Sequence, residues 1–541
     1  MVDITKSNFE LKYDDIAKAI EKSAFIAFDA EYTCLVLNNS LKPSLFDTGE
    51  VRYQKLKKIV TQSSMCQIGI SLYIPSDQKQ NSYSVQTFNV YLFPQPFGPL
   101  DAKFVCQASS VAFLCEHSFD FNKFMYEGVT YLNKDQEENL RKMHQLGRIK
   151  HSCDSMKLRD YDQNELRLLL DDISQWRYGA KTGDSREYSA PDQGINQYVL
   201  LADLQERFKD VICQVKSEKV VLTKSDDVEK VRKSYNAEFE RIFQIEIGFS
   251  RVFKKISSSR KPIVGHNCLT DLLFMFEKFH KSLPDNYKDF KKELHNLFPV
   301  IFDTKMISFC LRKTMRDETA LFNETNLSDL YNMLSSNQGK FYVLYSPFIE
   351  HADGFDHYVS KHHLHEAGFD AFLTGYVFIR MAHFMAAKDI KSSEIMPLKF
   401  RQQLRALKEF ENCINIARAS LRYVVIGGDD PPSQIPARFI VCSKGNLSEP
   451  LSANEIAHEF LSFGSVDVQM ETSHKAIVAV SHWKRAKNVI HAFKRHRKYK
   501  VTPYSSTSKF SSDKLMSIGF GIVLLVATGS IVYLLLPSDD S

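Results

Sequence analysis

Ala24-Phe25-Ile26-Ala27-Phe28-Asp29-Ala30-Glu31-Tyr32 begins as an apolar run and ends on two carboxylates. The apolar part reads as a buried strand. Asp29 and Glu31 stand at i and i+2, so on a strand both side chains point to one face, roughly 7 Å apart along the backbone. Two bare anions at the end of a core strand are costly unless something cationic neutralises them. A hard divalent ion such as Mg²⁺, which takes oxygen ligands, is the natural partner. Asp-x-Glu is also a common surface-turn pattern, so the weight falls on what the rest of the chain adds.

Outward from this stretch, Met65-Cys66-Gln67-Ile68-Gly69-Ile70-Ser71-Leu72-Tyr73 and Thr87-Phe88-Asn89-Val90-Tyr91-Leu92-Phe93 read as two more strands. Three in succession, rich in aromatic and β-branched residues, predict a mixed sheet. A helical region runs from about Ser118 to residue 146. From 147 to 245 charged residues dominate, with a small helix-plus-strand unit at 194–225 and a helix at about 226–256 returning to the main domain. Lys261 to Asn267 is a short strand, and Thr270-Asp271-Leu272 enters a helix. Asp271 thus sits in a first turn, where the helix dipole favours an acid. Val300 to Lys305 is another strand, followed by a helix. His365-Glu366-Ala367-Gly368-Phe369-Asp370 opens a helix reaching about residue 387. Within one helix His365 and Asp370 would be separated by about 140° of rotation. They converge only if the histidine lies on the turn before the helix, with Gly368 relaxing the junction.

Gly427-Gly428-Asp429-Asp430-Pro431-Pro432 marks a linker, and 401–435 reads as helix and linker. Beyond it the order strand, helix, strand, strand, helix over 436–500 predicts an RNA-recognition-motif-like (RRM-like) domain, with Phe439 near a stacking position. Lys484 to Lys500 carries eight Lys/Arg residues, a composition that attracts nucleic acid or anionic lipid. After a juxtamembrane linker at 501–514, Leu515 to Leu536 has no charge in 22 residues. At 1.5 Å per residue it reaches about 33 Å, enough to span a bilayer. Basic residues before it and acids after it predict a tail anchor with the body facing the cytosol. The chain of 541 residues, net charge +5, has ten scattered cysteines and no CxxC pair. That excludes a zinc ribbon and a disulfide framework and fits a reducing compartment. The charged N-terminus has no secretory h-region.

Asp29, Glu31, Asp271, His365 and Asp370, in this order and these settings, match the DEDDh exonuclease arrangement. The chain resembles the poly(A)-specific ribonuclease family, and within it the branch of membrane-anchored PARN-like-domain proteins that trim piRNA precursors. The likeness rests on Phe28-Asp29-Ala30-Glu31-Tyr32, Cys66-Gln67-Ile68-Gly69, Phe88-Asn89-Val90-Tyr91, Phe119-Asp120-Phe121-Asn122-Lys123, Val264-Gly265-His266-Asn267 and His365 to Asp370. The resemblance implies an α/β fold with an RNase H-like DEDDh core at 1–146 and 246–400. It also implies an inserted small α/β module at 147–245, which lacks the Arg-x-x-x-His signature of the soluble members. With the residues above, it implies a 3′-to-5′ exoribonuclease that uses two Mg²⁺ ions, or Mn²⁺ in their place. Asp29, Glu31, Asp271 and Asp370 would be the ligands and His365 the general base. Further implications are a single-stranded RNA 3′ end held by a PIWI protein, a Tudor-domain scaffold, a homodimer, and the outer mitochondrial membrane as the location, the endoplasmic reticulum being the other candidate. The runner-up is an mRNA deadenylase.

Overall fold

The structure, a computed structural model, describes residues 2–149, 163–190, 194–216, 219–315, 322–359, 363–388, 397–432, 436–444, 450–481 and 483–504. They fall into two compact units, one ending at residue 434 and one beginning at residue 435.

The first unit is built on a mixed sheet. Its strands are β1 (Val2–Ile4), β2 (Phe25–Tyr32), β3 (Met65–Pro75) and β4 (Ser82–Tyr91), then, after the insertion, β8 (Ile263–Gly265), β9 (Ile301–Asp303) and β10 (Phe348–His351). Their order is β1-β4-β3-β2-β8-β9, with β10 also pairing β4. β2, β3 and β4 are antiparallel, while β8 and β9 continue parallel to β2. β2 and β3 are buried on both faces, so they read as continuous apolar runs.

The strand period of two separates the faces of β2. Ile26 and Phe28 join one core with the helices Phe9–Lys22, Ser250–Ser259 and Leu269–Met275. Phe25 and Ala27 join the other, against the helix Ala367–Lys388. Asp29 and Glu31 continue the Phe25 and Ala27 row and so face that long helix. Eighteen of its 22 residues are buried, which explains why its sequence is apolar all round.

The insertion has its own core. Helices Gln163–Gly179 and Ile195–Arg207 accompany β5 (Ser185–Ser189), β6 (Val211–Lys216) and β7 (Lys219–Lys224), arranged β5-β7-β6. The single returning helix expected at 226–256 is instead two, Val228–Ile247 and Ser250–Ser259. Gly248 separates them at φ +48°, and a Cβ there would lie 2.0 Å from the Thr130 carbonyl oxygen. The close approach demands glycine and a break.

Residues 401–435 are more than the helix and linker read from the sequence. After the helix Phe400–Ala406, β11 (Cys413–Asn415) and β12 (Tyr423–Val425) form an antiparallel ribbon, and Ile414, Leu421, Val424 and Ile426 enter the core of the first unit. The glycine and proline cluster at 427–432 lies after this ribbon, which is why it marks the edge of a domain that had not ended at 400.

The second unit runs β13 (Ala437–Ser443), helix Ala453–Phe460, β14 (Val466–Thr472), β15 (Lys475–Val480), the short helices Trp483–Ala486 and Val489–Phe493, and β16 (Tyr499–Pro503). The sheet order is β14-β15-β13-β16, all antiparallel. Phe439, expected at a stacking position, is 5% exposed and packs with Phe460. On β13 buried residues alternate with half-buried ones, so Phe439 belongs to the helix-covered face. Phe493 and Tyr499 of the basic segment are likewise in this core.

The expected anchor at 515–536 and its juxtamembrane linker lie outside the described residues. Among the described residues no helix is long and apolar enough to cross a membrane.

Candidate active site

All five residues singled out from the sequence are described. Asp29 and Glu31 end β2; Asp370 is in the first turn of Ala367–Lys388. One oxygen of each of these three carboxylates lies within 4.8 Å of the others. Asp271, in the first turn of Leu269–Met275, acts electrostatically on both Asp29 and Glu31.

The long helix is docked onto the sheet by side chains of β3 and β4. A helix start leaves its first N–H groups without intrahelical partners. Here Gln67 Oε1 accepts the Ala367 N–H (3.0 Å) and Asn89 Oδ1 accepts the Gly368 N–H (3.1 Å). Both side chains belong to residues buried in the sheet. Asn89 Nδ2 also donates to Glu366 Oε1 (3.0 Å) and Asp3 Oδ1 (3.1 Å), and Lys123 pairs with Asp3 at 2.7 Å. Gly69, opposite Asp29 in the β2–β3 register, lets the helix backbone come in; a Cβ on it would sit 1.9 Å from the Ala367 carbonyl oxygen.

Asp271 is oriented from the other side. The Tyr32 hydroxyl donates to Asp271 Oδ1 at 2.6 Å, and its ring stacks on Phe274 at 4.2 Å. The loop leading to this helix is fixed by Asp303, fully buried at the end of β9. Its carboxylate accepts the N–H groups of Asn267 (2.8 Å), Cys268 (3.3 Å), Lys305 (2.9 Å) and Asn415 (3.0 Å).

His365 lies on the turn before the long helix, at φ +66°, and its backbone N–H donates to Asp370 Oδ2 at 3.2 Å. The turn bends at the histidine itself. Gly368, expected to relax the junction, is inside the helix, where a Cβ would meet the Tyr358 hydroxyl at 2.7 Å and Asn89 Cβ at 2.9 Å. Its smallness serves packing. The His365 ring is exposed and flanked by His117 (centroids 4.1 Å) and Phe113 (4.9 Å). Burial, then the charge of His117, lowers the His365 pKa below its ordinary value, so at neutral pH the ring is neutral and can accept a proton.

The carboxylates repel one another. Burial first, then the charges of Asp370, Asp271 and Glu31, push Asp29 well above the ordinary range. Burial and the charges of Asp370 and Asp271 raise Glu31 likewise. Burial lifts Asp271 to about 6, against the hydrogen bond from Tyr32, and Asp370 to about 7. Four half-buried acids destabilised in their ionised form are what a divalent cation with oxygen ligands offsets. The donor set fits such an ion, with Asp29, Glu31 and Asp370 as the gathered ligands.

Residues that sequence reasoning gave no role include Asp303, Tyr32, Gln67, Asn89 and His117. Asp303 ends a core strand on an acid, the signature that drew attention to Asp29. Gln67 and Asn89 are polar residues inside apolar strands, a legible oddity. His117 becomes visible only through the fold, which brings it to His365 from 248 positions away in the chain.

The family described as CAF1 family ribonuclease matches residues 4–378. The pre-piRNA 3′-exonuclease trimmer of Bombyx mori is 31% identical over 512 residues, covering 93% of each chain. The human poly(A)-specific ribonuclease PNLDC1 is 32% identical over 493 residues, 87% of this chain and 90% of that one. Among solved structures, the Mg²⁺- and Mn²⁺-bound form of S. pombe Pop2p overlaps 72% of this chain and 95% of its own, at a TM-score of 0.34 and 14% identity. The chain belongs to the CAF1 family of ribonucleases and is a 3′-to-5′ exoribonuclease.

Proposed function

We propose that this exoribonuclease trims the 3′ ends of PIWI-bound piRNA precursors, using two Mg²⁺ ions. The observation that carries the chemistry is the gathering of Asp29, Glu31 and Asp370, with Asp271 close enough to act on two of them. Asp29, Glu31 and Asp370 would hold one ion and Asp271 would contribute to the second; Mn²⁺ suits the same ligands. Two such ions clamp the attacking and leaving oxygens of a phosphodiester. His365, neutral and exposed at the rim, takes the proton of the attacking water on a ring nitrogen. Tyr32 holds Asp271 in place through its hydroxyl, and Gln67 and Asn89 hold the helix that presents Asp370. The products are nucleoside 5′-monophosphates.

The 31% identity to the Bombyx trimmer, over an alignment covering 93% of each chain, supports the substrate. The second unit, with its β-α-β-β-α-β order, is proposed as an RRM-like domain, and 515–536 as a tail anchor in the outer mitochondrial membrane, with a Tudor-domain scaffold and a second copy of the chain as partners. The human relative, a poly(A)-specific ribonuclease, favours a second reading as a deadenylase. A 5′-labelled RNA incubated with and without Mg²⁺ tests the reading: a ladder shortening from the 3′ end is expected only with the ion. Asp29→Ala should abolish it with the fold intact, and a ladder that persists refutes the site. Equal rates on oligo(A) and mixed-sequence RNA favour trimming; strong preference for oligo(A) favours deadenylation.

A further inference from the structure

A cavity of about 320 Å³ lies between the loop at 94–104 and the turn Phe276–His280. That volume is at the lower end of what small-molecule ligands occupy. The turn is π-helical and directly follows the helix bearing Asp271; such turns occur often at functional sites. Its middle residue, Lys278, lines the cavity and makes no hydrogen bond or ion pair among the described residues. Glu277, the acid beside it, is turned away to accept the Leu283 N–H at 2.7 Å. Burial lowers the Lys278 pKa to about 8. The Glu277 charge acts on this ammonium only through space, with no ion pair closing on it among the described residues.

The rest of the lining is polar and able to both donate and accept. Gln136 uses its Oε1 to accept the Asn133 N–H, which leaves its Nε2 amide as a donor, and Asn133 is held by the Glu277 carbonyl at 2.9 Å. Ser64 and Tyr131 share a hydroxyl pair at 3.0 Å. Lys103 stands exposed among the lining residues. One half-buried cation for a phosphate, and amide and hydroxyl groups for a base or ribose, suit a nucleotide. The cavity is close to the reaction: Ser64 accepts the Thr33 N–H at 3.0 Å, two residues past Glu31. Lys278 follows Asp271 by seven residues, about 10 Å of helix.

We infer that this cavity is a second, non-catalytic site for a nucleotide phosphate, with Lys278 as the cation that receives it. The choice of ligand rests on the exoribonuclease reading, which supplies two sources of the same chemistry. One is a phosphate of the RNA upstream of the bond being cut; the other is the released 5′-mononucleotide.

The full chain, in EDTA so that the carboxylate site recruits no phosphate through a metal, is titrated with AMP and with fluorescent RNAs of about a dozen and of three nucleotides. A hydrogen bond to a charged group is worth about 1.5–3 kcal/mol, so Lys278→Met should weaken the favoured ligand at least about tenfold, and Lys278→Arg should recover most of it. Loss confined to the longer RNA assigns the site to the substrate; loss confined to AMP assigns it to the product. Lys103→Glu, on an exposed lining residue, should weaken the same ligand several-fold without touching the core. Identical affinities of wild type, Lys278→Met and Lys103→Glu for every ligand overturn the site. Hydrolysis by the same wild-type preparation in Mg²⁺ reports on the exoribonuclease reading separately, so the two can fail independently.

Discussion

Gly69→Ala is a one-carbon change whose effect can be followed from the sheet to the carboxylates. Its new Cβ would fall 1.9 Å from the Ala367 carbonyl oxygen, 2.1 Å from the carbonyl carbon and 2.4 Å from the Gly368 nitrogen. All three are backbone atoms, so no side chain can swing aside. To reach ordinary contact at 3.4 Å the helix start must retreat by about 1.5 Å. The hydrogen bonds from Ala367 and Gly368 to Gln67 and Asn89 stretch beyond their present 3.0 and 3.1 Å, and Asp370 withdraws from Asp29 and Glu31. Overpacking of this kind costs about 1–3 kcal/mol in stability. Misplacement by about 1 Å costs about 10²-fold in rate. The expected outcome is a folded protein, melting several degrees lower, whose cleavage of 5′-labelled RNA falls about 10²-fold and needs more Mg²⁺ to reach half its rate. Gly375→Ala serves as a comparison: it drives a Cβ to within 2.1 Å of the buried Tyr73 ring, further along the same helix. It should lose stability with a smaller change in Mg²⁺ dependence. If Gly69→Ala keeps its rate within twofold at the original Mg²⁺ concentration, the close approach of helix and sheet is not what places Asp370.

The pH dependence of the metal-free protein follows from the raised acids. Asp271 at about 6 and Asp370 at about 7 hold protons more tightly folded than unfolded, so each contributes stability that is present at low pH and lost as pH rises toward 7. Mg²⁺ replaces those protons, so the Tm difference with and without Mg²⁺ should widen from pH 5 to pH 8; a constant difference would refute binding at these carboxylates. Tyr32→Phe removes the hydroxyl donor at 2.6 Å from Asp271 and keeps the ring on Phe274. The rate should drop several-fold with a stability loss of about 1 kcal/mol, read by single-turnover cleavage and a thermal melt. Deleting residues 515–541 should move the protein from the membrane to the soluble fraction on cell fractionation; an intact chain already soluble would end the anchor reading.

Much of the candidate site could be read from sequence because local chemistry announced it. Asp29 and Glu31 stood out as charges closing an apolar strand, Asp271 as an acid in a first turn, and Asp370 as the acid that follows His365. What could not be read was set by contacts between distant segments. Tyr32 looked like another core aromatic, and only the fold brings its hydroxyl to Asp271, 239 residues away. Gly368 looked like a flexible joint because glycine at a helix start so often is one; its real constraint comes from Asn89 and Tyr358, invisible to any local window. Phe439 failed as a stacking residue for a related reason. Strand alternation fixes which residues share a face, but not which face the helices cover.

The ribbon at 413–426 bears on how this enzyme can be cut. The family match ends at residue 378, and a fragment designed to that limit would discard Asn415, whose N–H meets the buried Asp303 carboxylate and whose side chain meets Asn267 at 2.6 Å. It would also discard Asn412, which bonds both the N–H of Ile301 and the Pro299 carbonyl along the outermost strand. A shortened protein of this kind would take one of four N–H donors from the buried Asp303 carboxylate and loosen the loop that delivers Asp271. The smallest self-sufficient catalytic piece therefore reaches past Asp430, whose carboxylate is clasped by Lys291 and Tyr287.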